Sequence, residues 1–143
     1  MRDQRTAHWE HYEHGADIGI HGMGGTQAIA FAQAALALTA VTTHPDNVSP
    51  VTQVKIECEA PDVELLFVEW LNALIYEMAV KNMLFSRFDV ILNLPNLHAM
   101  VWGEKINLQK HHPAVEVKGA TYTTLGVYED DNATWHARTV VDV

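Results

Sequence analysis

The stretch TQAIAFAQAALALTAV, Thr26 to Val41, is almost wholly apolar, with alanine and leucine dominating and only Thr26, Gln27, Gln33 and Thr39 carrying polar groups. A helix that is apolar on every side has to be buried on every side. Gly24 and Gly25 precede it and His44-Pro45 follows it, so the run is bounded as a helix with Thr26 at or near its N-cap.

Working outward, Thr52 to Glu59 alternates, with Val54, Ile56 and Cys58 on one face and Gln53, Lys55, Glu57 and Glu59 on the other, as a half-buried strand does. Asp62, after Pro61, caps a second helix running to about Lys81. In it Leu66, Trp70, Leu74 and Met78 recur at helical spacing, and Glu69, Asn72 and Tyr76 mark the polar side. Phe88, Val90 and Leu92 alternate up to Asn93-Leu94-Pro95-Asn96, and Leu97, Ala99 and Val101 alternate beyond it, which predicts a hairpin. A second hairpin is predicted from Ala120–Tyr128 and Thr134–Val141, joined by the turn formers Asp130-Asp131-Asn132. Strands also fit Trp9–Tyr12 and Ile18–His21, with Glu13 to Asp17 as the connection. The expected fold is α+β: one domain over residues 1–143, a mainly antiparallel sheet system packed by two long helices.

Composition narrows the function. With 143 residues, 48% of them hydrophobic, the chain can bury one sizeable core and is too short for two ordinary domains. Nine Lys and Arg against 18 Asp and Glu give a formal charge of -9, so a phosphate backbone would repel the molecule, and RNA would have to be held by another protein. One cysteine, Cys58, cannot form an internal disulfide, and no C-x-x-C pair suggests a thiolate metal or redox site. The start Met-Arg-Asp-Gln-Arg has no apolar signal core, and neither helical run has the apolar length of a membrane span. A cytoplasmic protein is expected.

EHGADIGIHGMGG, Glu13 to Gly25, places Glu13, His14 and Asp17 in a short connection, where carboxylate and imidazole can bind a cation or move a proton. Spacing alone favours Asp17 as the cap of a turn and His14 as a plain exposed loop residue. The glycines Gly22, Gly24 and Gly25 lack both the P-loop lysine and the dinucleotide spacing, and read as a tight turn. Adjacent His111 and His112 diverge on either a helix or a strand and make poor joint ligands. His8, His11, His21, His44, His98 and His136 show no paired metal-ligand spacing and read as surface or partly buried structural residues. Cys58 sits on an apolar strand face, and Ser49 and Ser86 lack a G-x-S-x-G frame, so covalent catalysis has no candidate. Trp70, Phe85, Phe88, Trp102 and Trp135 are expected in the core, without interleaved basic residues for nucleic-acid stacking. At the end, Thr139-Val140-Val141 is followed by Asp142 and Val143, and a last strand held in a sheet would set the Asp142 and terminal carboxylates side by side, a hard oxygen site or a solvated chain end.

Four stretches together resemble the archease family in the family's order: YEHGADIGI (Tyr12 to Ile20), FVEWLNALIYEM (Phe67 to Met78), WGEKINLQKHHPAVEVKGATY (Trp102 to Tyr122) and the terminal VVDV. The resemblance implies a non-enzymatic accessory protein that activates an RtcB-type RNA ligase in tRNA splicing and RNA repair. It would promote GTP-dependent guanylylation of the ligase and multiple turnover, and would meet RNA only through the ligase. It also implies a divalent metal site, with Asp17, Asp142 and Val143 as ligands and His14 as an accessory group. Oxygen ligands suit Ca2+ or Mg2+, with Ca2+ slightly favoured. The sequence departs from the family at Gly15, where threonine is usual, at Asn107, where aspartate is common, and at Thr123, where many members carry histidine. The alternatives are a small metal-dependent hydrolase or nucleotide-processing enzyme with His14 as general base, and a chaperone-like binding module using the exposed side of the second helix.

Overall fold

In the computed structural model, residues 7–143 are described; the polar start Met1 to Arg5 lies outside them. The long apolar run forms helix α1 (Gln27–Thr42), capped by the Thr26 hydroxyl, which accepts the Ile29 N–H at 3.1 Å. Helix α2 (Val63–Lys81) starts at Asp62, whose carboxylate accepts the Leu65 N–H at 2.9 Å, and ends at Asn82 in the left-handed conformation. Both caps stand where the sequence sets them.

Strands β1 (His8–His14), β2 (Asp17–Gly24), β3 (Thr52–Glu59), β4 (Met83–Asn93), β5 (Asn96–Lys105), β6 (Gly119–Ala120), β7 (Gly126–Glu129) and β8 (Trp135–Asp142) form two antiparallel sheets. One has the order β1-β2-β8-β6, with β7 also paired to β8; the other is β3-β5-β4. Helix α1 lies between them, against β1, β2 and β8 of one and β4 of the other, and α2 touches both as well. The α+β, single-domain, mainly antiparallel expectation is therefore what is observed, with both long helices packed as predicted.

The core follows the apolar pattern. Phe31, Leu38, Leu66, Phe67, Trp70, Leu74 and Phe85 are buried at its centre, and Phe31 and Phe67 rings meet at 5.0 Å. Its polar groups are paired: the Trp70 indole donates to the Phe31 carbonyl at 3.0 Å, and the Thr39 hydroxyl to the Phe85 carbonyl at 2.6 Å.

Several expectations need correction. The Glu13 to Asp17 connection shrinks to Gly15-Ala16, because β1 and β2 pair as far as His14 opposite Asp17. Gly22 and Gly24 are not turn residues but lie within β2; a Cβ on Gly22 would stand 2.2 Å from the Ala30 carbonyl oxygen, so this glycine lets α1 press onto the sheet. The arm expected over Ala120–Tyr128 is broken into β6 and β7 by a loop in which Thr124 has positive φ. A short helix α3 (Leu108–His111), capped by Asn107, was not foreseen, since one turn carries too little periodicity to be read. Trp102 is not a core residue: it is half-buried, with the Arg87 guanidinium 4.2 Å above its ring, a basic group against an aromatic where none was expected.

Candidate functional site

The β1–β2 hairpin turns through two residues, and Gly15, first of the two, has φ 63, a backbone region in which glycine is unstrained and a β-branched residue is not. This conformation suits the glycine found here. The turn delivers His14 and Asp17 as a directly opposed pair at one end of the sheet.

Strand β8 brings the other half. Ile18 pairs with Val141, so the next step along the ladder puts Asp17 level with Asp142. Ile18 and Val141 face the core, and side chains alternate along a strand, so Asp17 and Asp142 share the outward face. The Val143 N–H donates to Asp17 Oδ1 at 3.3 Å, joining residues 126 positions apart. On its other side Asp142 pairs with Gly119, and its carbonyl accepts the Lys118 N–H at 2.8 Å; the Ala120 N–H donates to Asn72 Oδ1 on α2. The sheet thus gathers Asp17, Asp142, Val143 and His14 at one corner.

Among the described residues neither the Asp17 nor the Asp142 carboxylate has a Lys, Arg or His partner within 4.0 Å. Adjacent like charges with no cationic neighbour, one half-buried and one exposed, are a donor set that suits a hard cation. No group of three or more His, Cys, Asp or Glu side chains gathers as a metal cluster among the described residues. The corner offers two carboxylate side chains, with the backbone of Val143 hydrogen-bonded to one of them.

Two other carboxylates are engaged by the fold itself. Glu104 on β5 takes the Lys110 ammonium at 2.7 Å, the Ser49 N–H at 2.9 Å and the imidazole of His111 at 2.9 Å. The Lys110 hydrogen bond, the Ser49 N–H and then His111 hold the Glu104 carboxyl down at about 2. His111 is itself buried, its other nitrogen accepting the Asn107 N–H at 2.9 Å, whereas His112 is exposed, so the two do diverge. Asp130 accepts from His136 Nε2 at 2.7 Å and from the Asn132 and Thr134 N–H groups, which holds its carboxyl below the usual range. Neither cluster follows from a spacing rule, although most of their members lie within eight residues of one another. The Cys58 thiol is pushed up to about 11 by burial and by Glu69, which leaves it protonated and inert.

The chain matches the Archease protein family (MTH1598/TM1083) over residues 9–143. It is 35% identical over 139 residues to the protein archease of Pyrococcus furiosus and 34% identical over 137 residues to that of Sulfolobus acidocaldarius, covering 94% of this chain and 98% of the relative in each case. Among solved structures it is similar to the solution structure of Methanobacterium thermoautotrophicum protein 1598, with a TM-score of 0.75, 24% identity, and 94% and 98% of the two chains covered. It is also similar to the crystal structure of an archease from Thermotoga maritima, described there as a possible chaperone, with a TM-score of 0.62, 18% identity, and 92% and 94% covered. No described helix is long and apolar enough to cross a membrane.

Proposed function

Because this chain belongs to the archease family, we propose that it is an accessory protein that activates an RtcB-type RNA ligase, promoting GTP-dependent guanylylation and multiple turnover without catalysing a reaction itself. The cation, Ca2+ in preference to Mg2+, would be held by Asp17, Asp142 and the terminal carboxylate of Val143. The observation that carries this reading is the hydrogen bond from the Val143 N–H to Asp17, which holds residues 126 positions apart at one corner beside Asp142.

What the protein's own residues do is position charge. The β1–β2 turn fixes Asp17, β8 fixes Asp142, and Asn72 of α2 braces the short strand beyond it. A bound divalent ion would convert the repulsion between these carboxylates into attraction and present a positive centre on an otherwise acidic surface. With a net charge of -9 the protein has little affinity of its own for RNA, in keeping with a role exerted on another protein.

A second reading makes the same corner a small metal-dependent hydrolase or nucleotide-processing site, with His14 as base; its support is that His14 stands directly opposite Asp17. Reconstitution separates the two. Guanylate transfer to the cognate ligase is measured with and without this protein at controlled metal concentration, beside GTP and RNA turnover by the protein alone. Stimulation with no turnover by the isolated protein is expected. Metal-dependent turnover that survives repurification and disappears with His14→Ala would replace the accessory reading.

A further inference from the structure

The outward face of the five-stranded sheet carries a second array, away from the Asp17 corner. From β1, His8 and Glu10 face His21 of β2; from β8 come His136 and Arg138; Tyr128 of β7 and Asp130 of the β7–β8 turn close the far side. Four of these form a line. His21 Nδ1 is 3.6 Å from Glu10 Oε1, His21 Nε2 is 2.9 Å from His136 Nδ1, and His136 Nε2 is 2.7 Å from Asp130 Oδ2. The His136 ring is held in plane by Tyr128, stacked on it at 4.8 Å and 9°.

The ends fix where the protons lie. A carboxylate only accepts, so His136 Nε2–H donates to Asp130, and neutral His136 has Nδ1 free to accept. The donor to it is then His21 Nε2–H, which leaves the lone pair of His21 Nδ1 facing Glu10. One added proton fits on that nitrogen, pairs with Glu10 and breaks nothing. A second has only His136 Nδ1 to go to, which is the acceptor of the central bond. Two imidazolium N–H groups would then oppose each other, with the Arg138 guanidinium, over the Tyr128 ring at 5.8 Å, adding to the repulsion.

We propose that His21 and His136 form a one-proton switch: the pair holds at most one proton beyond neutrality, and a second uncouples β2 from β8 at the open end of the sheet. That end is where Met23 pairs with His136 and Gly24 with Trp135, and where Asp130 ties the following turn through Asn132 and Thr134. The surroundings act in the same sense. Burial, then His136, with Arg138 and His8 adding, lower the His21 pKa against the pull of Glu10, so the surroundings as well as the central bond disfavour two charged rings together.

The test is nuclear magnetic resonance on the full-length 15N-labelled protein. A scalar coupling through the hydrogen bond between His21 Nε2 and His136 Nδ1 is expected near neutral pH and should vanish on acidification. The two rings should titrate in macroscopic steps separated by more than about one pH unit, as coupled sites do. Amide protection at Gly22 to Gly24 and Trp135 to Ala137 should fall at least tenfold in the step that removes the coupling, and in His136→Phe, which cannot take the second proton, that pH-dependent fall should disappear. Two rings that titrate independently near pH 6.5, absence of the coupling at every pH, or unchanged protection after its loss would each overturn the proposal, and the first two are read on the unmodified chain.

Discussion

Glu104 and Asp17 are both carboxylates on strands, and their surroundings could hardly differ more. Around Glu104 the protein supplies an ammonium, an imidazole and a backbone N–H within 2.9 Å, and the buried His111 is anchored in turn by Asn107. That cluster pins the α3 segment to β5 and neutralises the carboxylate from within the fold. Asp17 receives one backbone N–H at 3.3 Å and stands beside Asp142 with no cation from among the described residues. The Glu104 carboxylate is satisfied within the fold, whereas the Asp17 and Asp142 pair, short of positive charge, is where the proposed cation would sit.

The largest effect expected from breaking this contrast is at the unsatisfied corner. Asp17→Ala and Asp142→Ala should each abolish stimulation of ligase guanylylation while circular dichroism and melting temperature stay close to those of the parent. If the two residues serve one cation, as proposed, the double variant should be little worse than either single one. Extending the chain past Val143 should also impair stimulation. Folded single variants that stimulate the ligase as well as the parent would remove the cation site from consideration.

Trp70→Ala sharpens the contrast from the other side, because here activity should be lost only through the fold. Trp70 is fully buried and donates to the Phe31 carbonyl, so truncation leaves a large cavity and removes that bond, costing about 3–5 kcal/mol. Denaturant titration should show that loss in the midpoint, and stimulation should return wherever the variant is demonstrably folded. A Trp70→Ala protein of parental stability would show that the packing between the helices is not as described.

What the sequence could disclose follows from the range of each signal. Thr26 and Asp62 mark helix starts, the alternation from Thr52 to Glu59 marks a strand, and all three rest on neighbouring residues and stand as read. Where contact depends on register between distant strands, local pattern is silent. The His21–His136–Asp130 line and the Glu104–His111 cluster each join several elements, and neither has a spacing to recognise. Trp102 departs from the core expectation because it alternates with the buried Val101 and so lies on the outward face of β5, under the Arg87 guanidinium. The Asp17–Asp142 corner became visible through family resemblance and not through spacing, and the ladder from Ile18 to Val141 then supplies the physical reason those two positions meet.

A smaller effect comes from titrating the satisfied carboxylate. The Glu104 carboxyl lies at about 2 in the folded chain against 4.5 as its ordinary value, so its contribution to stability is complete above about 4.5 and is lost as pH falls toward 2. Stability measured by denaturant at successive pH values should therefore decline over that window, and Glu104→Gln should flatten the decline while lowering stability at neutral pH. The amide keeps an acceptor for Ser49 but loses the charge that Lys110 pairs with. An unchanged acid limb in Glu104→Gln would mean that other carboxylates set it.

The smallest effect belongs to Cys58. Its thiol lies on the inward side of β3, packed against the core, and its raised pKa keeps it protonated, so it acts as a small hydrophobic group and not as a nucleophile or a soft metal ligand. Valine is close in volume, brings no new polar atom, and has the branched shape a strand accommodates well. Cys58→Val should thus change stability by less than about 1.5 kcal/mol and leave ligase stimulation within error of the parent, and its melting temperature should be insensitive to reductant. This variant also isolates the oxygen corner: if stimulation depends on a cation held by Asp17 and Asp142, the metal requirement should be identical with and without the thiol. A stably folded Cys58→Val protein that fails to stimulate would show that the thiol takes part in function, and the division between residues that serve the fold and residues that serve a ligand would have to be redrawn to include it.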